Sequence, residues 1–229
     1  MSAAGIRRSR AGRAPPPDVE TLDALVARIH DCRICRDNPL GKPLPHEPRP
    51  VLVSSTTARV LIAGQAPGTK VHLSGMPFTD ASGDRLRDWL AVSSEEFYDP
   101  DLFAFLPMGF CFPGQDAKGG DLPPRRECAP AWRASLLAVM PQIDLIVAVG
   151  LYAQAWHIGV DRRSLSERVR DWQAIAMLEA RPRVIPLPHP SWRNSGWLKK
   201  NPWFEMELLP FLRTEIRSRI RPIRRKLMP

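Results

Sequence analysis

The sequence predicts an α/β protein: a three-layer α/β/α fold with a central four-stranded parallel sheet. The first support is a set of four short apolar runs, at residues 59–63, 102–108, 144–149 and 183–187. Strands of a parallel sheet are covered on both faces, so they read as continuous apolar runs rather than alternating ones. The second support is helical periodicity between the runs, because strands that alternate with helices build a parallel sheet with helical outer layers.

The helices are predicted from the spacing of their apolar residues. The first, at residues 21–30, places Leu22, Leu25 and Ile29 on one face. Five more are predicted at residues 85–92, 129–139, 152–156, 165–177 and 201–219, and Pro210 leaves the continuity of the last one open. Ligands of such folds bind beyond the carboxyl ends of the strands. The segments that follow those ends are 64–83, 109–128, the stretch after Gly150, and 188–197.

The 229 residues are enough for one domain with a buried core. We expect this domain at 19–212, a disordered basic tail at 1–18 and a basic C-terminal tail at 213–229. Residues 1–17 carry four arginines and no acid, and residues 213–229 carry seven basic residues against one glutamate, within a net charge of +9. Two interpretations stay open: solvated tails that aid solubility, or electrostatic attachment to a polyanion such as DNA.

Two classes of protein are disfavoured by the distribution of apolar residues. No apolar run approaches the roughly 20 residues that a membrane helix needs. The basic N-terminus is not followed by the apolar segment that is typical of a secretory signal. The sequence therefore predicts a cytoplasmic, nucleoid-associated protein with no membrane partner, and we expect it to be a monomer.

The four cysteines predict a metal centre. Cys32 and Cys35 form a C-x2-C pair after a helix, and Cys111 and Cys128 lie in a loop beyond a strand. A cytoplasmic protein disfavours two structural disulfides, whereas four thiolates suit either zinc or a [4Fe–4S] cluster. The residues alone leave both metals open, together with four unrelated buried cysteines.

Two segments carry a resemblance to a known family. Residues 64–83 read GQAPGTKVHLSGMPFTDASG, which resembles the first motif of the iron–sulfur (family 4) uracil-DNA glycosylases: Gly-Glu-x-Pro-Gly, then Gly-x-Pro-Phe, then a glycine that opens a helix. Residues 188–197 read PHPSWRNSGW, which is similar to the second motif of the superfamily, His-Pro-Ser, continued as in its single-strand-selective monofunctional branch. The cysteine arrangement is also similar to the iron–sulfur branch, and this implies [4Fe–4S] rather than zinc.

The resemblance implies a role for each residue of the two motifs. His189 is implied to stabilise the departing uracil anion, Gln65 to position water, and Phe78 to stack on the base. Backbone groups of the turn after the first strand are implied to approach the base or sugar, and the segment after His189 is implied to contact DNA. The residues concerned are Gly64, Ala66, Gly68, Ser191, Arg193 and Asn194. Competing structural interpretations are a loop histidine bonded to backbone, a core phenylalanine and an ordinary strand-to-helix turn.

Two departures from the family pattern bear on the chemistry. Gln65 and Ala66 stand where family members have an acidic residue, so a carboxylate must come from elsewhere; Asp80 and Asp84 are the nearest in sequence. Both also occur where a helix starts, and there acids act as caps. Pro107 stands where the family reads uracil with an asparagine, so we expect backbone groups around 108–112, or another loop, to read the base.

The sequence therefore predicts a monofunctional uracil-DNA glycosylase that flips the base out of DNA and hydrolyses its N-glycosidic bond. Its partners are then DNA that contains uracil or abasic sites. The alternative is a non-catalytic, or abasic-site-retaining, DNA-binding protein on the same scaffold. An unrelated zinc-stabilised hydrolase is less well supported, because no nucleophile–base pair is recognisable.

Overall fold

A computed structural model describes residues 20–227, with side chains to residue 221. Its centre is a sheet of four parallel strands in the order β2-β1-β3-β4. The strands are β1 (Val60–Ala63), β2 (Phe103–Phe105), β3 (Leu145–Val149) and β4 (Arg183–Leu187). Each lies within one of the predicted apolar runs, and the three-layer α/β/α prediction is confirmed. The tail predicted at 1–18 lies outside the described residues.

Eleven α-helices are described in this part of the chain. They are α1 (Leu22–His30), α2 (Ile34–Asp37), α3 (Thr69–Ser74), α4 (Ala81–Leu90), α5 (Ser94–Tyr98), α6 (Cys128–Ala138), α7 (Leu151–His157), α8 (Leu165–Arg170), α9 (Trp172–Ala176), α10 (Ser195–Lys200) and α11 (Leu209–Leu227). The helix predicted at 85–92 begins earlier, because the Asp80 side chain caps the backbone N–H groups of Ser82 and Gly83. The helix predicted at 165–177 is divided in two at Asp171.

The two faces of the sheet bury separate apolar clusters. Along β1, Val60 and Ile62 point to the face that α4 and α11 cover, whereas Leu61 and Ala63 point to the face that α1 and α6 cover. All four are fully buried. This two-sided burial is the reason that the strands have continuous apolar sequences. Within residues 20–227, no helix is both long and apolar enough to cross a membrane.

The C-terminal helix corrects the boundary expected at residue 213. Leu212, Ile216 and Ile220 of α11 are fully buried against the sheet. Arg213 Nε donates to the carbonyl of Trp89 at 3.1 Å, and Arg217 is paired with a buried glutamate. The helix therefore belongs to the folded unit at least as far as Ile220. In the sequence, the many arginines of this segment draw attention away from the apolar residues Leu212, Ile216 and Ile220. Their four-residue spacing is that of one helix face.

Pro210 does not end the terminal helix. It stands in the first turn of α11, directly after a π-helical turn at Phe204–Leu208. Proline has no backbone N–H to donate to the preceding turn, so the regular hydrogen-bond pattern cannot pass through it. The chain stays helical here because the turn before the proline is widened.

Candidate functional site

A cleft opens at the carboxyl ends of the strands and contains about 620 Å³ of empty space, including its open mouth. Six of the predicted site residues line it: Gly64, Gln65, Ala66, Gly68, Phe78 and His189. They come from two segments that are far apart in the sequence. They meet because the carboxyl ends of β1 and β4 lie at the same edge of the sheet.

The imidazole of His189 is placed in the cleft as a neutral group. His189 follows β4 by two residues and is half-buried. Burial lowers the pKa of His189, and the carboxylates of Asp80 and Asp121 oppose this without cancelling it. The ring makes no hydrogen bond to any described residue, while the backbone carbonyl of His189 accepts one from Asn194 Nδ2 at 2.7 Å. A neutral ring with free nitrogens can donate a hydrogen bond to a ligand.

Phe78, which also lines the cleft, is held in an unusual backbone conformation. Its φ angle is +55°, in the left-handed region that side chains larger than glycine rarely adopt. The carbonyl of Phe78 accepts a hydrogen bond from the Tyr98 hydroxyl at 2.9 Å. A Cβ added to Gly83 would lie only 1.8 Å from that carbonyl oxygen. The turn therefore depends on glycine at 83, and such local strain is typical of functional sites.

Gly64 and Gln65 connect β1 to the floor of the cleft. A Cβ on Gly64 would stand 3.4 Å from the Phe78 ring, so glycine lets the ring lie close to the backbone. The side-chain amide of Gln65 packs against Gly150, whose missing Cβ would be 2.7 Å from Gln65 Nε2. That amide has no hydrogen bond to another described residue, so it can bind water or a ligand.

The segment after His189 lies beside the cleft rather than in it. Ser191, Arg193 and Asn194 are absent from the cleft lining. The hydroxyl of Ser191 caps the following turn by accepting from the Arg193 N–H, and Asn194 bonds to the backbone of His189. Their predicted contacts with DNA stay predictions, while the structure gives two of them a local supporting role. Trp192 is 73% exposed at this surface.

Arg85 is a supporting residue that the sequence analysis missed. It lies on α4, and its Nη1 donates to the Ser191 carbonyl at 2.8 Å while Nη2 reaches Ser195 Oγ at 3.3 Å. Through this arginine the helix that follows the Phe78 turn also holds the His189 segment. No local sequence signal marks Arg85, because its partners are more than a hundred residues away.

The loop after β2 limits which of its backbone groups could read the base. The N–H groups of Met108 and Gly109 donate to the carbonyls of Gly64 and Gln65, both at 2.9 Å. The Phe110 N–H points to Cys128 Sγ at 3.3 Å. Three of the backbone donors expected around residues 108–112 are therefore already occupied. Pro107 itself lines the cleft.

Only one of the two acids named from the sequence reaches the cleft. Asp80 lines the cleft, whereas Asp84 does not and instead pairs with Arg87. A third carboxylate, Asp121, also lines the cleft and was not singled out in the sequence. It comes from the loop between Cys111 and Cys128, where it has no neighbouring motif that would have marked it.

All four cysteines line a second cavity, on the other side of that loop. Their thiols are free, and the wall between them is mostly apolar, with Ile29 and Leu44 among its residues. Burial raises the pKa of both Cys111 and Cys128 to about 12. Among residues 20–227, no group of three or more Cys, His, Asp or Glu side chains is placed so that it could hold a metal ion.

This cysteine cavity has features that fit an iron–sulfur cluster. It offers four sulfur donors, and the Phe110 N–H already points to the sulfur of Cys128. Backbone hydrogen bonds to sulfur and a dry surrounding are among the means by which proteins tune such clusters. The chemistry of the donor set therefore fits the group that the resemblance implies, although the four sulfurs are not spaced as a ready-made metal site in this structure.

The fold is a three-layer α/β/α protein with a cleft at the carboxyl edge of its parallel sheet, and a neutral imidazole and an aromatic ring both line that cleft. A family model, that of the uracil DNA glycosylase superfamily, matches residues 51–213. Because this match covers most of the chain, the protein belongs to the uracil DNA glycosylase superfamily, a group of glycosidases that act on DNA in base excision repair. The match begins after Cys32 and Cys35 and includes the other two cysteines.

Proposed function

We propose that this protein is a monofunctional DNA glycosylase that excises uracil and leaves an abasic site. The observation that carries the proposal is that His189 and Phe78, which are far apart in the matched region, line one cleft. A flat ring suits a flat base, and base–aromatic stacking contributes about 1–3 kcal/mol. The partner is then DNA that contains uracil, and its product is DNA with an abasic site.

The proposed chemistry begins with a base turned out of the helix stack into the cleft. As the bond from N1 to C1′ breaks, negative charge develops on the uracil oxygens. The neutral His189 ring donates a hydrogen bond to this charge, which is absent from the bound substrate and develops as the transition state is approached, so the interaction accelerates the reaction. Gln65, whose amide is free, orients a water molecule toward C1′.

The experiment that tests this proposal is single-turnover base release from an oligonucleotide with one uracil. Wild type should produce alkali-labile strands, and His189→Ala should be slower by at least about a hundredfold. His30→Ala is the matched control, because His30 is an exposed histidine on α1, away from the cleft. Its rate should equal that of wild type.

Other outcomes have distinct meanings. If wild type releases uracil and His189→Ala is equally fast, the enzyme remains but His189 has no role in the chemistry. If wild type binds uracil-containing or abasic DNA tightly and releases no base, the alternative of a non-catalytic DNA-binding protein is favoured.

We also propose that Cys32, Cys35, Cys111 and Cys128 hold a [4Fe–4S] cluster. Such a cluster supplies a structural cross-link here, since it would tie the end of α1 to the loop that leads into α6. Iron and acid-labile sulfide in equal amounts, about four of each per chain, are expected in protein purified without oxygen. Stoichiometric zinc in place of iron would contradict the proposal.

A further inference from the structure

The proposed chemistry leaves one proton without an acceptor. Water that attacks C1′ must lose a proton, and the Gln65 amide orients water but is not a base. Two carboxylates line the cleft, Asp80 and Asp121. Their hydrogen bonds distinguish them.

Asp80 is occupied by the backbone. Its Oδ1 accepts from the N–H groups of Ser82 and Gly83, at 3.1 and 3.2 Å. This is the bonding of a helix N-cap, and α4 begins at the next residue. Through Oδ1 the Asp80 carboxylate thus serves the start of α4, although its Oδ2 accepts from none of the described residues.

Asp121 has one oxygen available. Its Oδ1 accepts from Gln115 Nε2 at 3.3 Å, whereas Oδ2 accepts from none of the described residues. A Cβ on Gly68 would lie 2.9 Å from Oδ2, so the absence of a side chain at Gly68 makes room for this oxygen. Asp80 and Asp121 both act on the pKa of His189 and raise it. The oxygen thus lies among the residues of the first motif.

The loop that carries Asp121 is held by its own hydrogen bonds. Gln115 and Asp121 form an antiparallel bridge, and the Leu122 N–H donates to the Gly114 carbonyl at 2.9 Å. At the tip, Asp116 Oδ1 accepts from two backbone N–H groups. The position of the carboxylate is therefore set by a closed turn rather than by a free loop.

We propose that Asp121 is a catalytic residue that accepts the proton of the attacking water, in place of the acid that the first motif lacks. This inference rests on the glycosylase function proposed above. The water oxygen forms a bond to C1′ while the bond from C1′ to N1 breaks, and the electron pair of that bond leaves with the uracil anion. One water proton passes to Asp121 Oδ2. The carboxylate is exposed, so it returns this proton to solvent.

The test combines a rate with a binding measurement. Asp121→Asn keeps the shape of the side chain and removes the base, so single-turnover uracil release should fall by about a hundredfold. Binding to an oligonucleotide with 2′-fluoro-2′-deoxyuridine, which resists cleavage, should stay within about threefold of wild type, because the proton acceptor acts only during bond breaking. In Asp121→Ala, added formate should restore at least part of the lost rate.

Asp84→Asn is the matched control, since Asp84 is a nearby acid outside the cleft, and its rate should equal that of wild type. The inference is overturned if Asp121→Asn is as fast as wild type, if its loss appears as weaker binding rather than a slower rate, or if formate has no effect. Failure of the glycosylase function is a separate result, because wild type itself would then release no uracil.

Discussion

The cleft and the cysteine cavity are built in opposite ways although one loop lines both. In the cleft, the side chains of Gln65 and His189 have no partner among the described residues. In the cysteine cavity, the wall is apolar and the sulfur of Cys128 already receives a backbone N–H. A polar group without a protein partner is costly unless a ligand or water satisfies it. The comparison therefore supports the two proposals, that the cleft is the place of chemistry and that the cysteine cavity is a structural support.

The two regions are joined by a short stretch after β2. The N–H of Gly109 donates to Gln65, and the next N–H, of Phe110, points to Cys128. Beneath this stretch the buried Arg133 donates to the carbonyls of Leu106 and Pro107, at 2.6 and 2.7 Å. Substitutions should thus affect the cleft alone, or both regions, according to where their contacts lie.

The largest effect confined to the cleft is expected from Gly83→Ala. Alanine is favoured over glycine in a helix by about 1 kcal/mol, but its Cβ would meet the Phe78 carbonyl at 1.8 Å. The backbone must shift, and a displacement of this size can lower a catalytic rate by about a hundredfold. Single-turnover base release measures the effect, and the metal content should not change.

Gly196→Ala is the matched control for this substitution. Gly196 lies on α10, and a Cβ there would have nothing within 4 Å. Alanine should leave the rate unchanged and stabilise the helix slightly. If both variants lose activity equally, the clash at Phe78 is not the cause.

Arg133→Met should affect both regions. It leaves one buried and one partly buried carbonyl without their donor, which costs about 3 kcal/mol of unfolding free energy. Urea denaturation would measure the loss, and base release and iron content should both decline. Burial of the guanidinium lowers the pKa of Arg133 to about 10 and has a free-energy cost. An unchanged stability would mean that this cost cancels the stabilisation from its hydrogen bonds.

Arg85→Met should slow base release by about tenfold, the equivalent of one lost charged hydrogen bond. The Ser191 carbonyl and Ser195 hydroxyl would lose their donor, and the His189 segment would be held less firmly. Arg85→Lys keeps a cationic donor and should recover part of the rate. The unfolding free energy of both variants should stay near that of wild type; a large fall would show that the arginine serves the fold rather than the cleft.

The smallest effect is expected from His157→Gln, as a change in pH dependence. Burial and the neighbouring Arg133 lower the pKa of His157 from 6.5 to about 3. Between those values the unfolded chain binds a proton at this residue and the folded protein does not, so stability falls as the pH is lowered. His157 contributes at most about 1.4 kcal/mol per pH unit to the slope of unfolding free energy against pH. The variant should lose this contribution. Denaturation between about pH 5 and 7 measures the difference, and equal slopes would contradict the assigned cause.

Sequence alone was sufficient for the sheet and for six of the residues that line the cleft. Each strand lies inside an apolar run, because burial on both faces imposes a composition that can be read locally. Gly64, Phe78 and His189 were recognisable because each belongs to a short motif, and the parallel topology requires the carboxyl ends of β1 and β4 to share one edge.

The tertiary structure alone decided which other groups reach that edge. Asp121 and Arg85 are ordinary polar residues in sequence, and they acquire their places through contacts with Gly68 and Ser191, which are far away along the chain. The hydrogen bonds from the Met108 and Gly109 N–H groups to the turn after β1 were equally hidden. The composition of a segment indicates whether it is buried, because burial favours apolar residues at each position. The approach of two distant polar groups depends instead on the path of the whole backbone between them.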